Sequence, residues 1–258
     1  MTTKLSHKTE AGFTLVELAI VLMIIGLLIG GILRGQELME NARVTSTIQQ
    51  TKAYDGATTT FRDAYNALPG DIRNPGGRLP GCTAAPCNVA GDGNGLIQTG
   101  TGATGSIVSL TNGAIAMPAS ATATTENRNF WIHLAATHLI SGVSPAPNAI
   151  AWGTDQPAAK IAGGFQVGLV NIPAAGAVPA INGHFLILKN NAADGNINGG
   201  TGTSAISPLR AAQFDRKLDD GLPQTGDVVG VGSNNCTGAA YAETIEQRDC
   251  NLLIRVQS

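Results

Sequence analysis

Few residues in this chain can do chemistry, and their types and spacing set narrow limits on what that chemistry is. Four cysteines, Cys82, Cys87, Cys236 and Cys250, allow three disulfide pairings. Short loops close at the lowest entropic cost, which favours Cys82–Cys87 together with Cys236–Cys250. Zinc is the other chemistry open to them. Neither gap matches the two-to-four-residue spacing of zinc sites, and no histidine adjoins either pair in the sequence. The run Asp194-Gly195-Asn196-Ile197-Asn198-Gly199 sets oxygens at alternate positions, as the first half of a calcium loop does. The closing glutamate belongs at the twelfth position, which is Ala205, so a plain Asn/Gly turn is the better reading. Asp92-Gly93-Asn94-Gly95 is a weaker version of the same pattern. His133 and His138 do not share a helix face, and His184 stands alone, so core or surface roles are expected. Asp215, Asp219 and Asp220 read as a solvated helix end ahead of Gly221. No nucleophile elbow, zinc-protease helix, phosphate loop or dinucleotide fingerprint is present, so the sequence offers no active site.

One ionisable residue is out of place. Residues 13–33 hold a single charge, Glu17, in an otherwise uncharged and largely apolar stretch. Twenty-one residues at about 1.5 Å each cover the roughly 30 Å core of a bilayer. Lys4 and Lys8 precede the run, which predicts a cytoplasmic N-terminus with the rest of the chain on the far side. A secretory signal peptide has a shorter apolar core and a small-residue cleavage site after it. A carboxylate inside such a run costs about 2–3 kcal/mol in a membrane and is by default functional, with a partner to find. Gly26 and Gly30, with Gly31 beside them, have the spacing that lets helices pack closely; glycine also weakens a helix locally.

Gly12-Phe13-Thr14-Leu15-Val16-Glu17-Leu18 resembles the processing signature of type IV prepilins and type II secretion pseudopilins. The resemblance implies cleavage between Gly12 and Phe13 by a membrane-embedded prepilin peptidase. It also implies methylation of the new amino group of Phe13. Glu17 becomes the fifth residue of the mature chain, where the family has its glutamate. Within a filament, the Phe13 amine of one subunit would neutralise Glu17 of a neighbour, since an ion pair in an apolar bundle is far better than either charge alone. The implied partners are like subunits, the peptidase, an assembly ATPase, a platform protein and the bacterial inner membrane. The implied destination is a pilus or a periplasmic pseudopilus. The segment from Asp215 to Gly221, with its flanking cysteine pair, is also similar to the C-terminal part of some pilin-like proteins.

The remaining elements must carry these residues. Beyond residue 33 the chain turns amphipathic, and Tyr54, Phe61, Tyr65 and Leu68 recur on one helical face. One nearly continuous helix is expected over about residues 13–66, stopped by Leu68-Pro69-Gly70, with its apolar stripe in a core. Residues 70–125 read as a long loop region around the first cysteine pair. A short helix is expected from Phe130 to about Leu139. Strands are expected at 164–171, 183–189, 227–232 and 250–257, and a helix at 207–219. Helix first and strands later predict an α+β fold, a long N-terminal helix packed on an antiparallel sheet, which matches the ladle shape the resemblance implies. The parts are a leader at 1–12, a membrane and polymerisation helix at 13–33, its amphipathic continuation at 34–68 and a globular part at 69–258.

Composition narrows the function further. Net charge is −2 and charged residues are 13% of the chain, so no general electrostatic reason exists to bind nucleic acid. Gly is frequent at 33, which suits a domain rich in turns. The expected role is structural, without catalysis or cofactor. The competing class is a membrane-anchored periplasmic binding module or enzyme that shares the leader. For the cysteines, unreduced peptide mapping is expected to recover a Cys82–Cys87 link and a Cys236–Cys250 link. A free thiol at any of the four positions would remove this pairing.

Overall fold

The structure is a computed structural model that describes residues 12, 14–98, 125–174, 179–193, 197 and 203–256. The chain divides into two compact units, Met1–Ala42 and Arg43–Ser258. Helix α1, Leu15–Tyr65, contributes to both.

In the first unit every described residue from Thr14 to Leu38 is exposed. This includes the large apolar side chains, with Leu15 at 85% and Met23 at 75%. Among the described residues α1 is the one helix long and apolar enough to cross a membrane.

In the second unit α1 behaves as an ordinary core helix. Val44, Thr47, Ile48, Thr51, Tyr54, Ala57, Thr58 and Phe61 are buried, at steps of three and four that mark one face. The three buried threonines donate their hydroxyls to carbonyls one turn back, on Arg43, Ile48 and Tyr54, each at 2.8 Å. That satisfies each hydroxyl within its own helix. Tyr54 packs edge-on against Trp131 at 5.1 Å and Phe165 at 5.6 Å. The helix ends at Tyr65, because Asn66 takes a left-handed conformation with φ 48°. The stop therefore comes before Leu68-Pro69-Gly70 and rests on an asparagine that tolerates positive φ.

A short helix α2, Pro75–Arg78, follows, with Asn74 capping it through Gly77 N–H. Helix α3 spans Glu126–Ala136, and all eleven residues are buried. Periodicity fails for such a helix, because no face meets water. Its polar first turn, Glu126 to Asn129, is why the sequence places its start only at Phe130. The polar groups there are held from within. Arg128 Nε donates to Asp155 Oδ2 at 2.9 Å, with both side chains fully buried. A buried pair of this kind costs desolvation and returns a fixed orientation.

Four strands form one antiparallel sheet in the order β1-β2-β4-β3. They are β1 Gly164–Ile172, β2 Ile181–Lys189, β3 Val228–Gly232 and β4 Cys250–Arg255. Phe165 lies opposite Leu188, Leu186 opposite Ile254, and Val228 opposite Ile254. Alternation sends Phe165, Val167, Leu186, Leu188, Leu252 and Ile254 into the main core with α1 and α3. Val170, Ile172, Phe185, Ile187, Val231 and Leu253 build a second cluster. Both faces of the sheet are thus apolar. Helix α4, Pro208–Leu218, adds Phe214 to the main core, and α5, Asn234–Thr237, brings in Cys236.

Phe61 is fully buried at the centre of this packing. Phe61→Ala is expected to cost about 3–5 kcal/mol of unfolding free energy in denaturant titration of the detergent-solubilised chain. Thr60→Ala, one exposed position away, should stay within about 0.5 kcal/mol. Equal losses at the two sites would contradict the burial assigned to Phe61.

Candidate functional site

At the start of α1, Thr14 has not yet entered the helix and Leu15 has. Thr14 is therefore the N-cap and Glu17 the third helical residue. Glu17 N–H donates to Thr14 Oγ1 at 3.2 Å. In return, Glu17 Oε2 accepts from Thr14 N–H at 2.9 Å and from the Thr14 hydroxyl at 2.8 Å. This reciprocal pair is a capping box. It satisfies helix donors that would otherwise be orphaned and places the carboxylate at the positive end of the helix dipole. The pattern T-x-x-E before an apolar run is visible in the sequence, and reading Glu17 only through its charge overlooks it. Phe13 lies outside the described residues. Gly26 and Gly30 leave open space where a Cβ would stand, a shallow notch on an exposed apolar helix.

The family described as the prokaryotic N-terminal methylation motif matches residues 7–33. The chain carries the signature of a type IV prepilin or pseudopilin. No curated protein and no solved structure matches the chain. The prepilin signature thus rests on the N-terminal segment. The long apolar helix followed by a four-stranded antiparallel sheet is the α+β architecture that goes with it.

The domain behind the prepilin signature contains several clusters of chemically capable side chains, and each has a structural task. Cys82 Sγ lies 2.05 Å from Cys87 Sγ, and Cys236 is joined to Cys250. The first pair has a histidine beside it after all. His133, 46 residues from Cys87, hydrogen-bonds Cys87 O through Nε2 at 3.0 Å and accepts Gly70 N–H on Nδ1 at 2.9 Å. Burial lowers its pKa to about 4, so the ring is neutral. Gly70 reaches it with φ 87°, where a Cβ would stand 2.2 Å from Glu126 O. His184 accepts Ile97 N–H at 3.0 Å, and burial lowers its pKa too. His138 has positive φ, 59°, just after α3 ends.

Asp71, Asp92 and Glu126 converge within a few ångströms. Asp71 accepts backbone N–H groups of Gly93, Asn94 and Gly95, while Glu126 accepts those of Asp92 and Gln98. Together they pin the 92–98 loop to α3. Burial, with a smaller contribution from the neighbouring acids, pushes Glu126 up to about 6. The Asp194–Gly199 pattern lies outside the described residues except for Ile197, which is buried.

Asp215 departs from the solvated helix end that the sequence suggests. It is fully buried, accepting the Tyr241 hydroxyl at 2.9 Å and Gly221 N–H at 3.0 Å. Tyr241 is 26 residues away in sequence, which hides the pairing. Asp219 accepts the N–H groups of Asp227 and Val228, and Asp220 that of Leu222. The three acids therefore organise the turn leading into β3.

Burial pushes Asp215 up to about 6, against hydrogen bonds from Tyr241 and Gly221 that pull it down. Its folded value lies above the unfolded value of about 4. Its contribution to stability is therefore present below about pH 4 and lost as pH rises through about 6. Asp215→Asn removes this dependence. Its melting temperature relative to the unaltered chain should rise between pH 4.5 and pH 7.5. A difference that is flat across that range would contradict the raised pKa.

Proposed function

We propose that this chain is a structural subunit of a type IV pilus-like filament or a type II secretion pseudopilus. In this reading prepilin peptidase cuts it between Gly12 and Phe13 and methylates Phe13. The subunit waits in the bacterial inner membrane with its domain in the periplasm and assembles through residues 13–33. An ATPase and a platform protein drive assembly. The reading involves no catalysis, cofactor or nucleic acid, and calcium is no part of it.

The observation that carries this reading is the wholly exposed apolar stretch of α1 with a capped carboxylate at its start. Each large apolar side chain gains about 1.5–3 kcal/mol on leaving water, so the stretch demands lipid or a bundle of like helices. The notch at Gly26 and Gly30 suits the close backbone approach of a second helix.

The capping box adds a step to assembly. Before incorporation the Glu17 carboxylate is satisfied by Thr14 of its own helix. Processing creates an ammonium at Phe13. A neighbour's Phe13 ammonium then competes with Thr14 for the same carboxylate oxygens, and it adds a charge that Thr14 lacks.

Intact mass of the membrane-extracted chain, with and without active peptidase, tests the processing. A mature chain starting at methylated Phe13 is expected, and an uncut chain would end this reading. Glu17→Gln separates the cap from the charge, because glutamine also completes a capping box. Filaments recovered by shear and pelleting should fall at least tenfold in both Glu17→Gln and Glu17→Ala. Wild-type yield from Glu17→Gln would show that capping is the residue's whole contribution.

A further inference from the structure

The second unit holds a pocket whose charge is opposite to that of the chain. It lies at the end of α1 and measures about 440 Å³. Arg62, Arg73 and Arg78 line it, together with Asp71 and His184. The whole chain has a net charge of −2, so three guanidiniums around one concavity are a local inversion.

Two of the three are already fixed in place. Arg73 Nε donates to Asp92 O at 2.9 Å, and Arg78 donates to Tyr65 O. Backbone carbonyls anchor these side chains without cancelling their charge. Among the described residues no carboxylate lies within ion-pairing distance of Arg62, Arg73 or Arg78. Asp71, the one acid in the lining, is occupied elsewhere. Both of its oxygens accept backbone N–H groups, from Gly93 and Asn94 on one and Gly95 on the other. Burial lowers the pKa of half-buried His184, which disfavours a positive charge on its ring. The lining side chains are thus three cations and one anion; Asp92 and Glu126 stand behind Asp71 and offset part of that charge, while the guanidiniums face the concavity.

We propose that this pocket binds a small polyvalent oxyanion, a phosphate ester or a polycarboxylate of two to three charges. Planar guanidiniums match such oxygens two at a time, and pre-anchored ones lose little freedom on binding. The volume falls within the range of small-molecule sites. Two other concavities among the described residues do not offer this chemistry. The one beside Gln50 and Tyr54 carries a single cation, Lys160. The one at Asp55 and Asp227 mixes both signs.

Isothermal titration calorimetry on the full, unassembled chain in detergent tests the site, with citrate and inorganic phosphate as probes in low salt at pH 7.5. Because no filament is needed, the outcome is independent of whether the assembly reading holds. Saturable binding at one site is expected, weakening as sodium chloride is added. Arg62→Gln and Arg78→Gln should each weaken it by about tenfold. Lys160→Gln, in the other concavity, should leave it unchanged. Arg62 is exposed on α1, so its loss should not disturb folding, and circular dichroism checks this. Absence of saturable heat with both probes would overturn the proposal. So would arginine variants that bind as well as the unaltered chain, or an equal loss in Lys160→Gln. Should neither probe bind while the arginine variants lower filament yield, the pocket would be a contact for a neighbouring subunit and not a small-anion site.

Discussion

An apolar helix that begins with a carboxylate cannot rest in water, and in lipid it needs a partner for its charge. Both halves of that constraint lie within Thr14 to Leu33. The exposed side chains from Leu15 onward demand a non-aqueous surrounding. Glu17 demands hydrogen-bond donors, and it finds them one turn back on Thr14. The cap satisfies the start of the helix within its own chain. It also leaves the acid exchangeable, since the donors it holds are exposed and not enclosed in a core.

The second unit solves a different problem. Its core gathers the buried face of α1, the sheet and the wholly buried α3 around aromatic contacts among Tyr54, Trp131 and Phe165. A helix with no wet face must find partners for its polar groups internally, and α3 pairs Arg128 with Asp155 and hydrogen-bonds through Glu126 and His133, while Asn129 Oδ1 and Trp131 Nε1 have no hydrogen-bond partner among the described residues. Carboxylates throughout this unit act as acceptors for loop backbone. Glu126 and Asp71 serve the 92–98 loop, and Asp215, Asp219 and Asp220 serve the turn before β3. A chain rich in glycine needs such fixed acceptors, because its loops have little side-chain packing to hold them.

The sequence made the repeating elements legible because their signals are local. The stripe from Tyr54 to Phe61, the alternation in β1 and β2 and the spacing in α4 are such signals, and the structure places these elements, with β3 and β4, within a few residues of the expected ranges. The start of α3 escaped because burial on all sides erases the contrast between polar and apolar faces. The end of α1 falls within a residue of the expected one, but Asn66 and not Pro69 turns the chain. The clusters escaped for another reason. His133 with Cys87, Asp215 with Tyr241 and Glu126 with Gln98 join residues 26 to 46 positions apart, and only the fold brings them together. At the N-terminus the opposite holds: Thr14 and Glu17 are three apart, and the cap was readable from spacing alone.

The strand order has a consequence for when the domain comes into being. β4, the furthest along the chain of the described strands, lies between β2 and β3. Until residues 250–255 have been delivered, the sheet is two separate pieces with no shared hydrogen bonds. Pairing across such sequence distances is slow, because the chain must close long loops before it gains contacts. Folding of the full sheet therefore waits for the strand that joins the two pieces. A chain interrupted before β4 never completes its four-stranded sheet. The inner position of β4 thus makes it the one strand through which β1 and β2 share a sheet with β3.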